Sequence, residues 1–229
     1  MKTIKKILAV LLVAVFVTAF APTAFAAVLP SVYPIWVGST QVTDTNKNDI
    51  LKDGGSVTFN SETYTLTLTD ATINGSGYRN SGITVGGTLE GSSVVEKINI
   101  ELVGESKVYA NAAPSTSAIC AGLFCFNCKE VNFTGDGTVT FTGIENGNYT
   151  AAGIYGSQNT TVNVDGAAVI TIVGTNFKYY SFSDNCSVRE RNGKITLTQK
   201  ITADNIFKRL IEAIGSFFVS IGNFFKNLF

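Results

Sequence analysis

Alternation between apolar and polar residues is the most regular feature of this chain. Five short runs place an apolar residue at every second position: "TLTLT" around Leu66, "KINIEL" around Ile98, "EVNFTG" around Val131, "TVNVDG" around Val162 and "KITLTQ" around Ile195. A side-chain period of two is typical of β-strands with one buried and one exposed face. The pattern therefore predicts a protein built mainly from short strands.

The same runs recur at nearly constant spacing. Their central residues are separated by 32, 33, 31 and 33 residues, and a fixed period of this size indicates units that stack on one another. The core face is predicted to carry Leu66, Ile98, Val131, Val162 and Ile195, and the opposite face Thr67, Asn99, Asn132, Asn163 and Thr196.

Two further segments recur in several units. A second strand is supplied by "KVYAN", "TVTFT" and "VITIV", with Val108, Val139 and Ile170 predicted to point inward, and a third by "GLF" at Gly122 and "GIY" at Gly153. Three strands per unit of about 32 residues fit one coil of a parallel β-helix, in which coils stack at about 4.8 Å. A β-sandwich also has recurring strands, but it does not normally keep inward and outward residues at such even intervals. The sequence predicts a single-stranded parallel β-helix of about five coils.

The asparagines of the outward face occupy equivalent positions in three successive units. Asn99, Asn132 and Asn163 each lie between apolar neighbours, and stacked amides can hydrogen-bond to one another. The row is interpreted either as a structural ladder or as a flat strip that binds a ligand.

The two ends of the chain differ from the repeats. Residues 1–26 have three lysines, an apolar run and small residues at Ala24 and Ala26, as in signal peptides, so export with cleavage near Ala26 is expected. Residues 27–202 would form the β-helix domain. Residues 203–229 place apolar residues every three or four positions and predict an amphipathic α-helix. Residues 206–229 could cover the last coil or dock onto a membrane surface or a partner protein.

Charge and composition exclude several functions. Removal of residues 1–26 takes away three lysines and no acid, which changes the formal charge from 0 to −3 (14 Lys and Arg against 17 Asp and Glu). An acidic chain is a poor nucleic-acid partner. The chain has no histidine, so the commonest general base is missing. Glu101 and Asp165 share an outward column, but a separation of about 10 Å is at or beyond the wide end for a glycosidase pair. No catalytic residue is predicted.

Metal and cysteine chemistry receive weak support. Asp44, Asn46 and Asn48 begin like a calcium loop, yet Asp49 and Gly55 occupy the positions of its turn glycine and bidentate glutamate. No cofactor is therefore predicted, and calcium stays a weak alternative. Cys120, Cys125, Cys128 and Cys186 match an iron–sulfur spacing. However, the repeat places Cys186 about 10 Å from the other three, too far for a shared cluster. A disulfide among the first three is plausible in an exported protein.

The segments "YPIWVGSTQVT", "SVTFNSETYTLTLTDATI", "INIELVGES" and "GIYGS" are similar to secreted bacterial β-helix repeat proteins of the carbohydrate-binding domain-containing type. The resemblance implies a right-handed helix, a location in the medium or at the cell surface, and polysaccharide as the partner. Aromatic rings stack on sugar rings, so Tyr109, Phe124 and Tyr155 join the three asparagines as candidate binding residues. The leading expectation is a non-catalytic polysaccharide-binding protein. The alternatives are a structural or adhesive surface protein docked by its terminal helix, and a polysaccharide lyase.

Overall fold

Strands are the only complete elements in the part of the chain that the structure describes. That structure is a computed structural model, and it describes residues 31–75, 80–88, 91–92, 94–111, 119–144, 150–156, 160–174, 180–202, 211, 214–215 and 218–219. The predicted signal peptide, residues 1–26, lies outside the described residues. The strands are β1 Val32–Val37, β2 Thr40–Thr43, β3 Val57–Asn60, β4 Thr65–Thr69, β5 Thr72–Asn74, β6 Ile83–Val85, β7 Gly87–Thr88, β8 Gly91–Ser92, β9 Val95–Val103, β10 Glu105–Tyr109, β11 Ile119–Cys125, β12 Cys128–Gly135, β13 Thr138–Thr142, β14 Thr150–Gly156, β15 Thr160–Val164, β16 Val169–Val173, β17 Tyr180–Phe182, β18 Cys186–Arg191 and β19 Lys194–Gln199.

The strands assemble into three larger sheets and one small two-stranded sheet, β7–β8. The first sheet has the order β14-β11-β6-β1-β2, the second β17-β15-β12-β9-β4-β3, and the third β18-β19-β16-β13-β10-β5. Consecutive strands of the chain thus alternate between sheets over much of its length. Residues far apart in sequence become neighbours within each sheet.

The inward side chains of all three larger sheets share one apolar core. Ile83 and Leu123 enter it from the first sheet, Ile98 from the second, and Val108 and Phe141 from the third, each with no measurable exposure. Burial of a Val, Leu, Ile or Phe side chain stabilises a fold by about 1.5–3 kcal/mol. Burial of the apolar side chains that alternate along the strands therefore holds the three sheets together.

The prediction of a parallel β-helix is wrong, because the three sheets are mixed and the chain forms no closed solenoid. Parallel pairs link β14, β11 and β6 in the first sheet, β17, β15, β12, β9 and β4 in the second, and β16, β13, β10 and β5 in the third. Antiparallel pairs join β1 to β2 and β6, β3 to β4, and β19 to β16 and β18. A five-coil solenoid would need parallel pairing from coil to coil, whereas the first and last described strands form antiparallel hairpins.

The last predicted coil shows the physical reason for this difference. Asn192 and Gly193 both adopt positive φ, at 51° and 70°, as a two-residue hairpin turn requires. The turn reverses the chain, so β19 runs antiparallel to β18 and to β16, with Ile195 opposite Ile172. The repeat predicted that Ile195 would follow Val162 in the same row of core residues, and this prediction is wrong.

The predicted C-terminal amphipathic helix is also not seen. Within residues 203–229 only 211, 214–215 and 218–219 are described, and these have helical backbone without forming a complete element. The other residues of this segment lie outside the described part. Four of the described side chains are largely exposed apolar groups: Ile211, Ile214, Phe218 and Val219.

Candidate ligand-binding surface

The three predicted asparagines meet on the outer face of the second sheet. β12 pairs in parallel with β9 and β15, with Asn132 opposite Asn99 on one side and opposite Asn163 on the other. Asn132 Nδ2 donates to Asn99 Oδ1 at 3.3 Å, and Asn163 Nδ2 donates to Asn132 Oδ1 at 2.9 Å. The predicted ladder of stacked amides is confirmed.

Both ends of the ladder are closed by protein groups. Asn99 Nδ2 donates to the carbonyl oxygen of Thr63 at 3.1 Å, and Ser183 Oγ donates to Asn163 Oδ1 at 2.6 Å. Asn132 is only 6% exposed. A ligand would therefore find much of the hydrogen-bonding capacity of this row already used.

The neighbouring outward row is more open. Glu101 lies opposite Thr67 on β4 and opposite Thr134 on β12. Thr67 Oγ1 donates to Glu101 Oε2 at 3.0 Å, and no described group donates to Oε1. Glu101 thus presents a solvent-facing acceptor between two threonines.

The β3–β4 hairpin forms one wall of a groove beside the outward row of Glu101. Asn60 Oδ1 accepts from the backbone nitrogens of Glu62 and Thr63, at 2.9 and 3.2 Å, and so fixes the turn. Tyr64 adopts a positive φ of 52° in this turn, and its ring lies edge-on to Phe59 with centroids 5.2 Å apart. Burial raises the Tyr64 pKa to about 12.

Hairpin and sheet together form an open groove of about 440 Å³. Its lining offers hydroxyls, amides and one carboxylate, and none of the lining side chains is aromatic. The lining residues are Asn60, Thr63, Thr65, Thr67, Asn99, Glu101 and Thr134. Of these, only Asn99 was predicted as a binding residue. The turn sequence "NSET" (residues 60–63), which precedes an alternating run, was the signal in the sequence for the hairpin that forms this wall.

The predicted aromatic residues lie on other sheets. Tyr109 ends β10 in the third sheet and lines a separate hollow of about 380 Å³ with Asn74, Ala110, Asn111 and Ile144. Because the hollow and the groove lie on different sheets, the structure does not bring Tyr109 to the asparagine ladder.

Phe124 and Tyr155 are aligned on β11 and β14, as the repeat predicted. Their rings stack with centroids 5.1 Å apart and planes at 12°. Phe126 stacks on Phe124 at 6.1 Å, and Phe124 is only 2% exposed. Phe124 thus packs within a small cluster of its own, and of the three stacked rings those of Phe126 and Tyr155 are only half-buried.

The calcium-like loop uses its oxygens internally. Asp44 accepts from Tyr33 Oη at 2.7 Å and from Lys47 Nζ at 3.0 Å. Asn46 Oδ1 accepts from Thr43 N, and Asp49 accepts from the backbone nitrogens of residues 53 to 55. The Tyr33 hydrogen bond, followed by that of Lys47, lowers the Asp44 pKa to about 2. Among the described residues, no three His, Cys, Asp or Glu side chains are grouped as a metal site.

The four cysteines are free thiols. Cys125 and Cys128 flank the turn between β11 and β12, and both are buried. The hydrogen bond to Cys128, followed by burial, raises the Cys125 pKa well above its ordinary value. Cys186 pairs with Gln199 in the antiparallel hairpin, so it does not lie in a further coil of the repeat, where the sequence predicted it.

No protein-family model, no curated protein and no solved structure matches this chain. In the part of the chain that is described, no helix is long and apolar enough to span a bilayer.

Proposed function

We propose that this protein is an exported, non-catalytic binder of polysaccharide, and that the glycan lies in the groove between the β3–β4 hairpin and the outward row of Glu101. The observation that carries the proposal is the groove's lining of hydroxyl, amide and carboxylate groups over about 440 Å³. The signal-peptide pattern and the resemblance to secreted carbohydrate-binding proteins point in the same direction.

The chemistry of the groove suits a ligand rich in hydroxyl groups. Glu101 is exposed, and its Oε1 is available to accept from a sugar hydroxyl. Thr65 and Thr134 are half-buried and carry hydroxyls that both donate and accept. An open, shallow groove of this kind admits the side of a long chain, whereas a small ligand is usually enclosed.

Binding by the groove can be tested with substitutions that preserve strand shape. Thr65→Val and Thr134→Val remove hydroxyls from the groove, and Glu101→Gln removes its charge. We expect the triple variant to lose retention on a panel of insoluble polysaccharides by about tenfold, because about 1.4 kcal/mol of lost hydrogen bonding has that effect. Circular dichroism would verify that the variant is folded.

A matched control is available on the third sheet. Thr140 and Thr171 are equally half-buried, point outward and face each other on β13 and β16. Their replacement by valine should leave retention unchanged. Equal losses in both sets of variants, or no retention of the unaltered protein on any glycan, would contradict the proposal.

A structural or adhesive surface protein is the second candidate. Two observations favour it: the hydrogen bonds of the asparagine ladder are largely internal, and Ile211, Ile214, Phe218 and Val219 expose apolar side chains. If these residues dock on a membrane, the protein should sediment with liposomes. Ile214→Ser with Phe218→Ser should then abolish sedimentation, and the protein should not be retained on any glycan.

A further inference from the structure

The terminal hairpin carries a cluster of cationic side chains on one face. β18 and β19 pair antiparallel, with Arg191 opposite Lys194 and Arg189 opposite Thr196. Directly opposed residues and residues two apart along a strand share a face. Arg189, Arg191 and Lys194 therefore project from the same side of the hairpin, next to its Asn192–Gly193 turn.

These three cations lack acidic partners among the described residues. By contrast, Lys47, Lys97, Lys107 and Lys129 each form a salt bridge to a carboxylate, at 2.8 to 3.1 Å. Arg191 and Lys194 lie directly opposite each other, and like charges in such a pair destabilise the pairing of the two strands. In a chain with 17 cationic and 17 acidic residues, this local excess points to an anion from outside the chain.

The cluster also has a shape that could receive a ligand. Arg189, Arg191, Asn192, Lys194 and Thr196 line a hollow of about 550 Å³. All except the half-buried Thr196 are exposed. An incoming anion would therefore reach the guanidinium groups without displacing any described side chain.

We propose that this hairpin surface, Arg189, Arg191 and Lys194, binds the anionic groups of an acidic polysaccharide. A guanidinium group presents paired donors that match a carboxylate, sulfate or phosphate group. Arg189 and Arg191 are about 7 Å apart along the strand, so the surface would engage more than one anionic group at once. A polymer with repeated charges meets this requirement, whereas a single small anion meets it only in part.

The surroundings of the cations favour a glycan over a membrane. Arg189 lies opposite Thr196, whose hydroxyl shares the face of the cations. A hydroxyl beside the cations suits a hydrated polymer, while a membrane-surface site places apolar side chains there. The groove of the second sheet is not part of this surface, so the proposal does not depend on glycan binding at the groove.

Charge-matched variants of the full chain test the proposal. Arg189→Gln, Arg191→Gln and Lys194→Gln together remove three positive charges from the hairpin. Lys47→Gln, Lys97→Gln and Lys129→Gln remove three from other surfaces and serve as the control. Affinity electrophoresis in gels containing polygalacturonate, dextran sulfate or neutral dextran would report binding, and thermal melts would verify folding.

We expect the hairpin variant to bind polygalacturonate, dextran sulfate or both about tenfold more weakly. The control should stay within about twofold of the unaltered protein, and binding should weaken with added salt. The relative losses on the two polymers would tell whether carboxylate or sulfate is preferred. Equal losses in both variants would show a net-charge effect only and would overturn the proposal. So would equal binding to neutral dextran, or binding to anionic vesicles without binding to either polymer. A groove variant that retains this binding would separate the two sites.

Discussion

Asn132 donates its side-chain amide to Asn99 Oδ1 at 3.3 Å, although the two residues are 33 positions apart in sequence. The same Asn132 accepts from Asn163 at 2.9 Å, so its amide links three neighbouring strands of the second sheet. The Asn132 side chain is nearly inaccessible to solvent. An amide there has few partners available other than its two counterparts.

Replacement of Asn132 by alanine should therefore destabilise the fold. The change would remove one partner each from Asn99 Oδ1 and from the Asn163 amide, which also donates to Asp165 Oδ2 at 3.3 Å. Because Asn99 and Asn163 are half-buried, the expected cost is about 1 kcal/mol, at the low end of the range for an unsatisfied polar group. Urea denaturation of Asn132→Ala would measure the loss. Thr134→Ala, two residues along the same strand, is the control and should change stability by less than about 0.5 kcal/mol. Equal effects would mean that the ladder contributes nothing specific.

The ladder is also where prediction from the sequence succeeded best. Val131 was expected to align with Ile98 and Val162, and it does. The alignment of Phe124 with Tyr155 was likewise correct. These strands lie inside parallel ladders, where residue spacing along the chain translates directly into neighbours in the sheet.

Register was less predictable from the same pattern. Leu66 pairs with Ile100, whereas the repeat placed it beside Ile98. Val108 pairs with Phe141, whereas the repeat placed it beside Val139. Both errors are shifts of two residues. Such a shift keeps every apolar side chain on the core face, so the alternation of the sequence cannot detect it.

Strand direction was the larger error and led to the expectation of a solenoid. The pattern of "KITLTQ" is the same whether β19 runs parallel or antiparallel to its neighbour. The information was in the preceding Asn192–Gly193 pair, a strong hairpin signal. The groove was missed for a similar reason, since the β3–β4 hairpin supplies one of its walls.

Gly135, between the second and third sheets, tests a position where backbone packing permits only glycine. It adopts a φ of +91°, and an added Cβ would overlap the carbonyl oxygen of Leu102. Gly135→Ala should therefore lower the free energy of unfolding by more than the roughly 1–2 kcal/mol that positive φ alone costs. Chemical denaturation would measure the effect.

Gly54→Ala separates conformational strain from the clash. Gly54 has a similar φ of +96°, but an added Cβ would have no heavy atom within 4 Å. Its replacement should therefore cost only the conformational term. If Gly54→Ala were as destabilising as Gly135→Ala, the close approach to Leu102 would not be the cause.

Acid titration should reveal the environment of Asp44. Its pKa is lowered to about 2, chiefly by the hydrogen bond from Tyr33 and next by that from Lys47. A lowered folded-state pKa means that this stabilisation is complete above the unfolded value of about 4. It is lost as the pH falls from there to about 2. Carbon NMR of the Asp44 carboxyl group would measure the pKa directly.

Tyr33→Phe should move the Asp44 pKa upward toward its ordinary value, because it removes the largest cause of the shift. Tyr64→Phe is the control: Tyr64 lies near Tyr33 across Phe59 but is not among the causes of the Asp44 shift. An Asp44 pKa that does not respond to Tyr33→Phe would contradict the assigned hydrogen bond.

The thiols should differ sharply in their reactivity with alkylating reagents. The thiolate is the nucleophile. The hydrogen bond to Cys128 raises the Cys125 pKa, and burial raises those of Cys120 and Cys186. Only Cys186 is partly exposed, whereas the other three are at most 2% exposed. Treatment of the reduced native protein with N-ethylmaleimide near neutral pH should therefore label Cys186 before the other three thiols, although slowly because its pKa is raised. Peptide mass spectrometry would identify the labelled thiol.

The variant Cys186→Ser is the control and should remove that early label, and unfolding in guanidinium should expose the remaining three thiols. Early labelling of Cys125 or Cys128 would place the turn between β11 and β12 in solvent and contradict the packing of the first sheet against the core.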